Sequence, residues 1–195
     1  MQNIRLRRLI IIAMLSGIAT VLMKLNFPLP FIPPFLKIDF GEVPAVVALL
    51  ALGPWAAIAV EFFKNFFYLI LTGSITGVPV GEIANFVTGL LFLLPIHFIY
   101  RAVRSKKGLI GGLIAGTLTM AIGMTVLNYY VFLPMYTYFL GMEAYQGEQL
   151  IQFLVAGILP FNVMKGLAVT AVVLLLFQKM SDWFSRQHQQ LQLTK

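Results

Sequence analysis

Long apolar runs recur along the whole chain and constrain its fold more than any other feature. Hydrophobic residues fill 59% of the 195 positions and charged residues only 11%, whereas a soluble domain averages about 45–50% and about 25% respectively. Such a surface cannot be solvated on all sides, which excludes a disordered chain, a nucleic-acid-binding tail and an ordinary cytosolic enzyme. Because about 20 apolar residues cross a bilayer as a helix, we expect an all-α integral membrane protein with roughly six spans.

Six apolar segments mark the expected transmembrane helices. They cover residues 9–25, 43–52, 55–72, 82–100, 109–132 and 152–178. The second is only about 15 Å long as a helix, and Gly53-Pro54 after it predicts a tight turn into the third. We expect residues 1–180 to form a single transmembrane domain, with a connection at 133–151, and residues 181–195 to form a polar cytoplasmic tail.

The first apolar run has an alternative interpretation. It follows Arg5, Arg7 and Arg8, and a basic start before an apolar run is also typical of a signal peptide. The segments after it are again apolar and do not resemble a soluble mature domain. We therefore favour a first helix that stays in the protein.

Proline dominates the segment between the first two runs. Residues 26–40 contain Pro28, Pro30, Pro33 and Pro34, and proline removes a backbone donor and fixes φ, so this segment cannot be a helix interior. We expect an extended outer loop. Its many Phe and Leu residues either lie on the lipid surface or pack over a cavity as a lid, and the sequence leaves both possibilities open.

The placement of charge predicts the orientation. With the N-terminus inside, ten of the 14 Lys and Arg residues fall in inner segments and two in outer segments. An excess of basic residues in the cytoplasmic segments is the usual rule for membrane proteins. We therefore expect six helices with both termini in the cytoplasm.

Seven ionisable or amide side chains interrupt the expected spans, where a charged side chain costs roughly 2.5–3.5 kcal/mol. They are Glu61, Lys64, Asn65, Asn85, Asn128, Asn162 and Lys165. All seven lie in the outer half of the bilayer or near its midplane. Asn162 and Lys165 are three residues apart and share one helix face, which favours a pocket that opens to the outside.

A purely structural role is the alternative for several of these residues. Buried asparagines often only join helices by hydrogen bonds, and Glu61 and Lys64 could neutralise each other. Lys165 differs, since it is too deep to reach the bilayer surface easily and Asn162 cannot neutralise it. We therefore expect Lys165 to have no fixed anion and to contact a ligand together with Asn162.

The sequence carries no sign of an enzyme. It has no cysteine and no G-x-x-x-x-G-K-[ST] phosphate-binding loop. Its two histidines, His97 and His188, both fall on the expected inner side, so no catalytic or metal-binding residue is predicted. Glu61 is the one carboxylate expected inside a span that could couple transport to protons or sodium, and Lys64 is placed to neutralise it.

Small residues recur on the first helix. Ala13 and Gly17 form one small-xxx-small pair, and Ser16 and Thr20 form a second. Such pairs let another backbone approach closely. They either pack within the bundle or dock a separate membrane partner.

Several short motifs resemble those of riboflavin-specific substrate-binding (S) components of energy-coupling-factor (ECF) transporters. The motifs are FPLPF at 27–31, KN at 64–65, NF at 85–86, NY at 128–129 and PFNVMKG at 160–166. The resemblance runs from the basic start to the sixth helix. It implies a six-helix bundle in a prokaryotic plasma membrane that binds riboflavin from outside with no cofactor, and it implies a membrane scaffold subunit and two cytoplasmic ATPase subunits as partners.

The resemblance also implies site residues. It places ligand contacts at Asn128, Asn162 and Lys165, and further contacts at Asn85 and the outer loop around Lys37 to Phe40. In the same way it maps docking on the scaffold to the pair Ala13 and Gly17.

The chemistry of these side chains suits a flavin. An amide both donates and accepts hydrogen bonds, as the pyrimidine edge of the ring requires, while an ammonium can donate to a ring carbonyl. Tyr129 and Phe132 could form apolar walls, and Glu61, Lys64 and Asn65 could bind ribityl hydroxyls. A phosphorylated flavin stays conceivable. Other readings are an S component for another vitamin, a self-sufficient ion-coupled carrier and a structural membrane protein.

Overall fold

A computed structural model describes residues 2–28, 36–74, 76–141 and 143–192 of the chain. Eight helices are separated in places by short strands and π-helical segments: α1 (Gln2–Lys24), β1 (Phe27–Pro28), β2 (Lys37–Ile38), α2 (Glu42–Leu52), α3 (Pro54–Thr72), α4 (Val80–Val103), α5 (Lys106–Leu127), a first π-helical segment (Asn128–Phe132), α6 (Leu133–Leu140), α7 (Gly147–Phe153), a second π-helical segment (Leu154–Ile158) and α8 (Leu159–Gln192). The predicted all-helical class is confirmed.

Five helical stretches of the described chain are long and apolar enough to cross a membrane. They are Arg5–Lys24, Pro54–Thr72, Val80–Val103, Lys106–Leu140 and Gly147–Lys179. Helix α2 has only 11 residues and is not among them. All its residues except Val47 are buried, as expected of a helix that is apolar all round. The second of the six expected spans therefore corresponds to α2, a short buried helix that packs against α1, α3 and α8.

The tight turn between α2 and α3 is confirmed. Gly53 has φ +95°, a conformation that glycine adopts without steric cost, and its N–H donates to the carbonyls of Ala48 and Leu49 at 3.2 and 3.1 Å. Pro54 then begins α3, where its missing N–H would have no helical partner.

The connection expected at residues 133–151 is wrong, because helices occupy most of it. The first π-helical segment carries the chain from α5 into α6, and Pro134 lies at the start of α6, where proline is tolerated. Gly141 ends α6 with φ +62°, and α7 begins at Gly147. The backbone of the expected tail is likewise helical as far as Gln192.

The expected extended outer loop has two described arms. Strands β1 and β2 pair antiparallel, with Phe27 opposite Ile38. The prolines at 30, 33 and 34 lie outside the described residues. After β2 the chain enters the bundle, so Asp39 is only 2% exposed and Glu42 only 1%.

Glycines bring α5 close to its two neighbours. A Cβ added to Gly116 would lie 2.6 Å from the Phe92 carbonyl oxygen on α4. A Cβ added to Gly166 on α8 would lie 2.6 Å from Thr117 Cγ2 on α5. Small residues allow this close approach of membrane helices. It sets α4, α5 and α8 side by side, and each of them leads to part of the site described next.

Candidate functional site

Four of the seven polar side chains singled out inside the expected spans meet at one cavity of about 70 Å³, here called the amide cavity. Its described lining consists of Leu36, Lys37, Gly81, Ala84, Asn85, Thr88, Met124, Asn128, Tyr136, Phe161, Asn162 and Lys165. Asn85 comes from α4, Asn128 from the first π-helical segment, and Asn162 with Lys165 from α8. The structure thus brings together side chains from three separated parts of the sequence.

Two of the asparagines are fixed by their own helices. Asn128 Nδ2 donates to the Met124 carbonyl at 2.7 Å, and Asn162 Nδ2 donates to the Ile158 carbonyl at 2.9 Å. Both bonds lie at an edge of a π-helical segment, a feature that is frequent at functional sites. Each bond occupies one of the two amide N–H groups, so each side chain keeps its carbonyl oxygen and a second N–H for a ligand.

A buried network of five charged side chains lies behind the amide cavity. Lys165 Nζ is 3.0 Å from Asp39 Oδ2 and 2.9 Å from Glu42 Oε1. Lys64 Nζ is 3.3 Å from the same Glu42 oxygen and 2.7 Å from Glu61 Oε2. The side chains involved are at most 3% exposed. Three carboxylates therefore surround two ammonium groups.

The network corrects two predictions. Lys165 has fixed anions, because the outer loop folds Asp39 and Glu42 into the bundle although Asp39 precedes Lys165 by 126 positions. Glu61 is also one of four buried carboxylates among the described residues, since Asp39, Glu42 and Glu82, which follow or precede a span on its expected outer side, are buried too. The pairing of Glu61 with Lys64, expected as a structural alternative, is present at 2.7 Å.

Close backbone approach fixes the loop side of this network. The Gly41 N–H donates to Asp39 Oδ1 at 2.8 Å. A Cβ at Gly41 would lie 2.8 Å from Lys64 Cδ and 2.9 Å from Asp39 Oδ1, so a side chain there would displace the charges. Burial and the neighbouring Glu42 carboxylate raise the pKa of Asp39, while the Lys165 and Lys64 ammonium groups and the Gly41 N–H oppose this effect.

A second cavity of about 110 Å³ lies next to the amide cavity, on the side of the loops. This loop-side cavity is lined by Met23, Asn26, Lys37, Asp39, Tyr68, Ser74, Thr76, Gly81, Glu82, Asn85, Tyr136 and Leu140. Lys37, Gly81, Asn85 and Tyr136 also line the amide cavity. The two cavities are therefore adjacent parts of one site.

The remaining sequence-based candidates lie elsewhere. Glu61 and Lys64 belong to the charge network, and the Asn65 amide donates to the Glu61 carbonyl at 2.9 Å. Phe40 and Phe132 pack in the hydrophobic core. None of these five residues lines either cavity.

Tyr129 also lies away from the two cavities. It is 43% exposed and lines a separate groove near Tyr138 and Tyr145. Successive helical positions differ by roughly a quarter turn, so the residue after an inward-facing Asn128 points away from the site.

Sequence reasoning missed some lining residues. Glu82 and Tyr136 are both buried at the loop-side cavity, but in the sequence Glu82 lies at the very start of an expected span and Tyr136 in the expected connection. A helical period extended through residues 133–140 would have placed Tyr136 on the same face as Asn128 and Phe132.

The two small-residue pairs of α1 have different surroundings. Ser16 and Thr20 are buried in the bundle, and Thr20 Oγ1 lies 3.5 Å from the Lys64 carbonyl. Ala13 and Gly17 are exposed, and a Cβ at Gly17 would meet no atom within 4 Å. The pair Ser16 and Thr20 therefore packs inside the bundle, while the pair Ala13 and Gly17 lies on the exposed outer face of α1.

Comparisons with known proteins cover nearly the whole chain. Residues 7–177 match the family model described as ECF transporter, substrate-specific component. The chain is 49% identical over 183 residues to the riboflavin transporter FmnP of Bacillus subtilis (strain 168), covering 94% of this chain and 96% of that protein. It is 42% identical over 181 residues to the riboflavin transporter RibU of Staphylococcus aureus (strain TCH60), covering 92% and 93%.

The fold comparison agrees with these relatives. A solved S component of a bacterial ECF transporter matches with a TM-score of 0.78 at 40% sequence identity, covering 94% of this chain and 98% of that chain. The family expected from the sequence motifs is thus confirmed by both sequence and fold. The chain belongs to the family of substrate-specific components of ECF transporters.

Proposed function

We propose that this chain is a high-affinity riboflavin-binding subunit that captures the vitamin from outside and delivers it inward with an ECF ATPase module. The observation that carries the proposal is the amide cavity, where Asn85, Asn128, Asn162 and Lys165 converge. The riboflavin transporters to which the chain is 49% and 42% identical over the aligned residues support it.

The amide cavity matches the polar edge of the flavin ring in chemistry. That edge presents two carbonyl acceptors around one N–H donor, so it needs at least one acceptor and one donor from the protein. The carbonyl oxygen of Asn128 or Asn162 can accept from the ring N–H, and the bond from each amide nitrogen to a helix carbonyl fixes the side chain for this contact. The Lys165 ammonium can donate to a ring carbonyl.

The buried charge network gives Lys165 a fixed position and offsets its charge. Asp39 and Glu42 lie within 3.0 Å of its Nζ, and a buried charge needs such partners. A site whose lysine is already neutralised suits a neutral ring better than an anionic one. Phe161 in the lining supplies an apolar surface for the ring.

The transport cycle requires partners that supply energy. We infer six helices that include α2, both termini in the cytoplasm of a prokaryotic cell, and docking of the exposed Ala13 and Gly17 face on a membrane scaffold. Two cytoplasmic ATPases then drive reorientation of the loaded bundle. The chain itself catalyses no reaction and needs no cofactor in this proposal.

Riboflavin titration of the chain purified in detergent, followed by quenching of flavin fluorescence, tests the proposal. Asn162→Ala and Lys165→Ala should each weaken binding about 5- to 150-fold, since each removes a buried polar contact worth about 1–3 kcal/mol. Gln152→Ala and Lys107→Ala are matched controls, because both side chains are exposed, and they should bind like the unchanged protein.

Two results would contradict the proposal. Absence of quenching at micromolar riboflavin in the unchanged protein would rule out the flavin and leave another vitamin as the candidate ligand. Gradient-driven uptake by the purified chain alone, lost in Glu61→Gln, would instead support an ion-coupled carrier. The buried Glu61, whose Oε1 has no hydrogen-bond partner among the described residues, is the observation that keeps this second candidate open.

A further inference from the structure

The loop-side cavity contains hydrogen-bond acceptors that recognition of the flavin ring does not use. Glu82 and Asn85 are three residues apart on α4 and share one helix face. Glu82 is 9% exposed, and within the described chain its Oε2 and the Asn85 Oδ1 are buried without a hydrogen-bond partner. Buried acceptors are rarely left unpaired, so both atoms are available to a donor that enters the cavity.

The position of Glu82 in the first turn of α4 explains why a carboxyl group lies there, but it does not explain why that group is buried. A carboxylate is favourable near the positive end of a helix, but an exposed side chain would serve that purpose equally well. Glu148 has such a place, since it lies in the first turn of α7 and is exposed. Burial of Glu82 at a cavity requires a further reason.

The shape of the site indicates what kind of ligand group would meet these acceptors. The loop-side cavity shares Lys37, Gly81, Asn85 and Tyr136 with the amide cavity, so one ligand can occupy both. A ring in the amide cavity would place its substituent in the loop-side cavity. Eight of the twelve described residues that line this cavity carry a hydroxyl, amide or carboxyl group, and such groups suit a chain of hydroxyls.

The charges around the loop-side cavity disfavour an anion. Its described lining has two carboxylates, Asp39 and Glu82, and one ammonium, Lys37. Asp39 is paired with Lys165 at 3.0 Å, whereas no ion pair joins Glu82 to a described residue. A carboxylate without a cationic partner repels a phosphate but accepts hydrogen bonds from neutral hydroxyls.

We infer that Glu82, assisted by Asn85, binds the hydroxyls of the ribityl chain and makes the site select riboflavin over its 5′-phosphate. This inference rests on the proposed riboflavin function and extends it to one residue. In this arrangement the amide cavity recognises the ring, and Glu82 contacts the end of the ribityl chain.

Three flavins separate the contribution of Glu82 from that of the ring. Lumiflavin has the same ring with a methyl group in place of the ribityl chain, and flavin mononucleotide adds a 5′-phosphate to riboflavin. Dissociation constants for all three would be measured by fluorescence quenching on the detergent-purified chain. The variants are Glu82→Gln, Glu82→Asp and the exposed control Glu148→Gln.

We expect Glu82→Gln to weaken riboflavin about tenfold, as loss of a hydrogen bond to a charged acceptor does. Lumiflavin binding should stay within twofold, which also shows that the variant is folded. The affinity for the mononucleotide relative to riboflavin should rise about tenfold. Glu82→Asp should weaken riboflavin but keep the discrimination against phosphate, and Glu148→Gln should change nothing.

Other outcomes overturn the inference. If Glu82→Gln weakens lumiflavin as much as riboflavin, Glu82 acts through the fold or the ring. If Glu82→Gln changes neither the affinity for riboflavin nor the affinity for the mononucleotide relative to riboflavin, or changes only one of them, Glu82 does not select riboflavin through the ribityl chain. If the unchanged protein binds neither lumiflavin nor riboflavin, the proposed function fails and this inference with it. If it binds both flavins equally well, the flavin function stands and the ribityl contact is refuted.

Discussion

Glu42 Oε1 is shared by two lysines, Lys64 at 3.3 Å and Lys165 at 2.9 Å. This single atom connects the amide cavity to α3. The sequence was sufficient to predict the pair of Glu61 and Lys64, because three positions along a helix bring side chains together. It could not predict the partners of Lys165, since they come from a loop whose course depends on the whole bundle.

The buried network has three carboxylates and two lysines, so removal of a lysine should destabilise the protein more than removal of a carboxylate. Lys64→Met leaves Glu61, which has no other ion-pair partner among the described residues, buried and unpaired, and breaking a buried pair in this way costs about 3–5 kcal/mol. Glu61→Gln leaves Lys64 paired with Glu42 and should cost only about 1 kcal/mol. The double variant should recover most of the loss. Thermal unfolding in detergent measures all three.

An exposed lysine provides the reference for this set. Lys107→Met should leave the unfolding temperature unchanged, because Lys107 is exposed. Equal unfolding temperatures for Lys64→Met and Lys107→Met would show that the buried network does not stabilise the protein. Failure of the double variant to recover stability would show that Lys64 acts independently of Glu61.

At the level of whole helices, local signals were reliable where one residue type decides the backbone. The Gly53-Pro54 pair predicted the turn from α2 to α3, and it forms as expected. Pro134 and Gly141 in contrast suggested a long connection, but the π-helical segment before Pro134 lets the helix continue. No residue type marks a π-helical segment in advance, so this boundary could not be predicted.

Two glycines of α5 give a matched test of helix packing. A Cβ at Gly116 would lie 2.6 Å from a backbone oxygen of α4, whereas a Cβ at Gly111 would lie 3.7 Å from Ile99 Cγ2. Backbone cannot move aside as a side chain can, so Gly116→Ala should destabilise the protein by about 1–3 kcal/mol. Gly111→Ala should be neutral or stabilising, because alanine favours helix by about 1 kcal/mol over glycine.

Thermal unfolding and riboflavin affinity would both report on these two variants. Displacement of α4 also moves Asn85 and Glu82, so Gly116→Ala should weaken ligand binding as well as stability. Equal stability of the Gly116 and Gly111 variants would contradict the close helix contact.

For the molecule as a whole, composition was enough to predict an all-helical membrane protein, and the quoted motifs were enough to identify its family. The arrangement of the site was only partly predictable. The four cavity residues Asn85, Asn128, Asn162 and Lys165 were selected because polar groups are costly inside a span. Asp39 and Glu82 were missed, because an acidic residue in a loop or at the outer end of a span carries no such signal, although both are buried in the folded protein.

A substitution on the outer face of α1 should affect transport without affecting ligand binding. Gly17 is exposed and has open space around it, so Gly17→Leu should leave folding and riboflavin affinity unchanged. The larger side chain should block close approach of a scaffold helix, which the proposed docking requires. We expect reduced ATP-dependent uptake and reduced co-purification with the partner subunits. Thr119→Leu, at another exposed position, is the control, and normal uptake by the Gly17 variant would mean that docking uses a different surface.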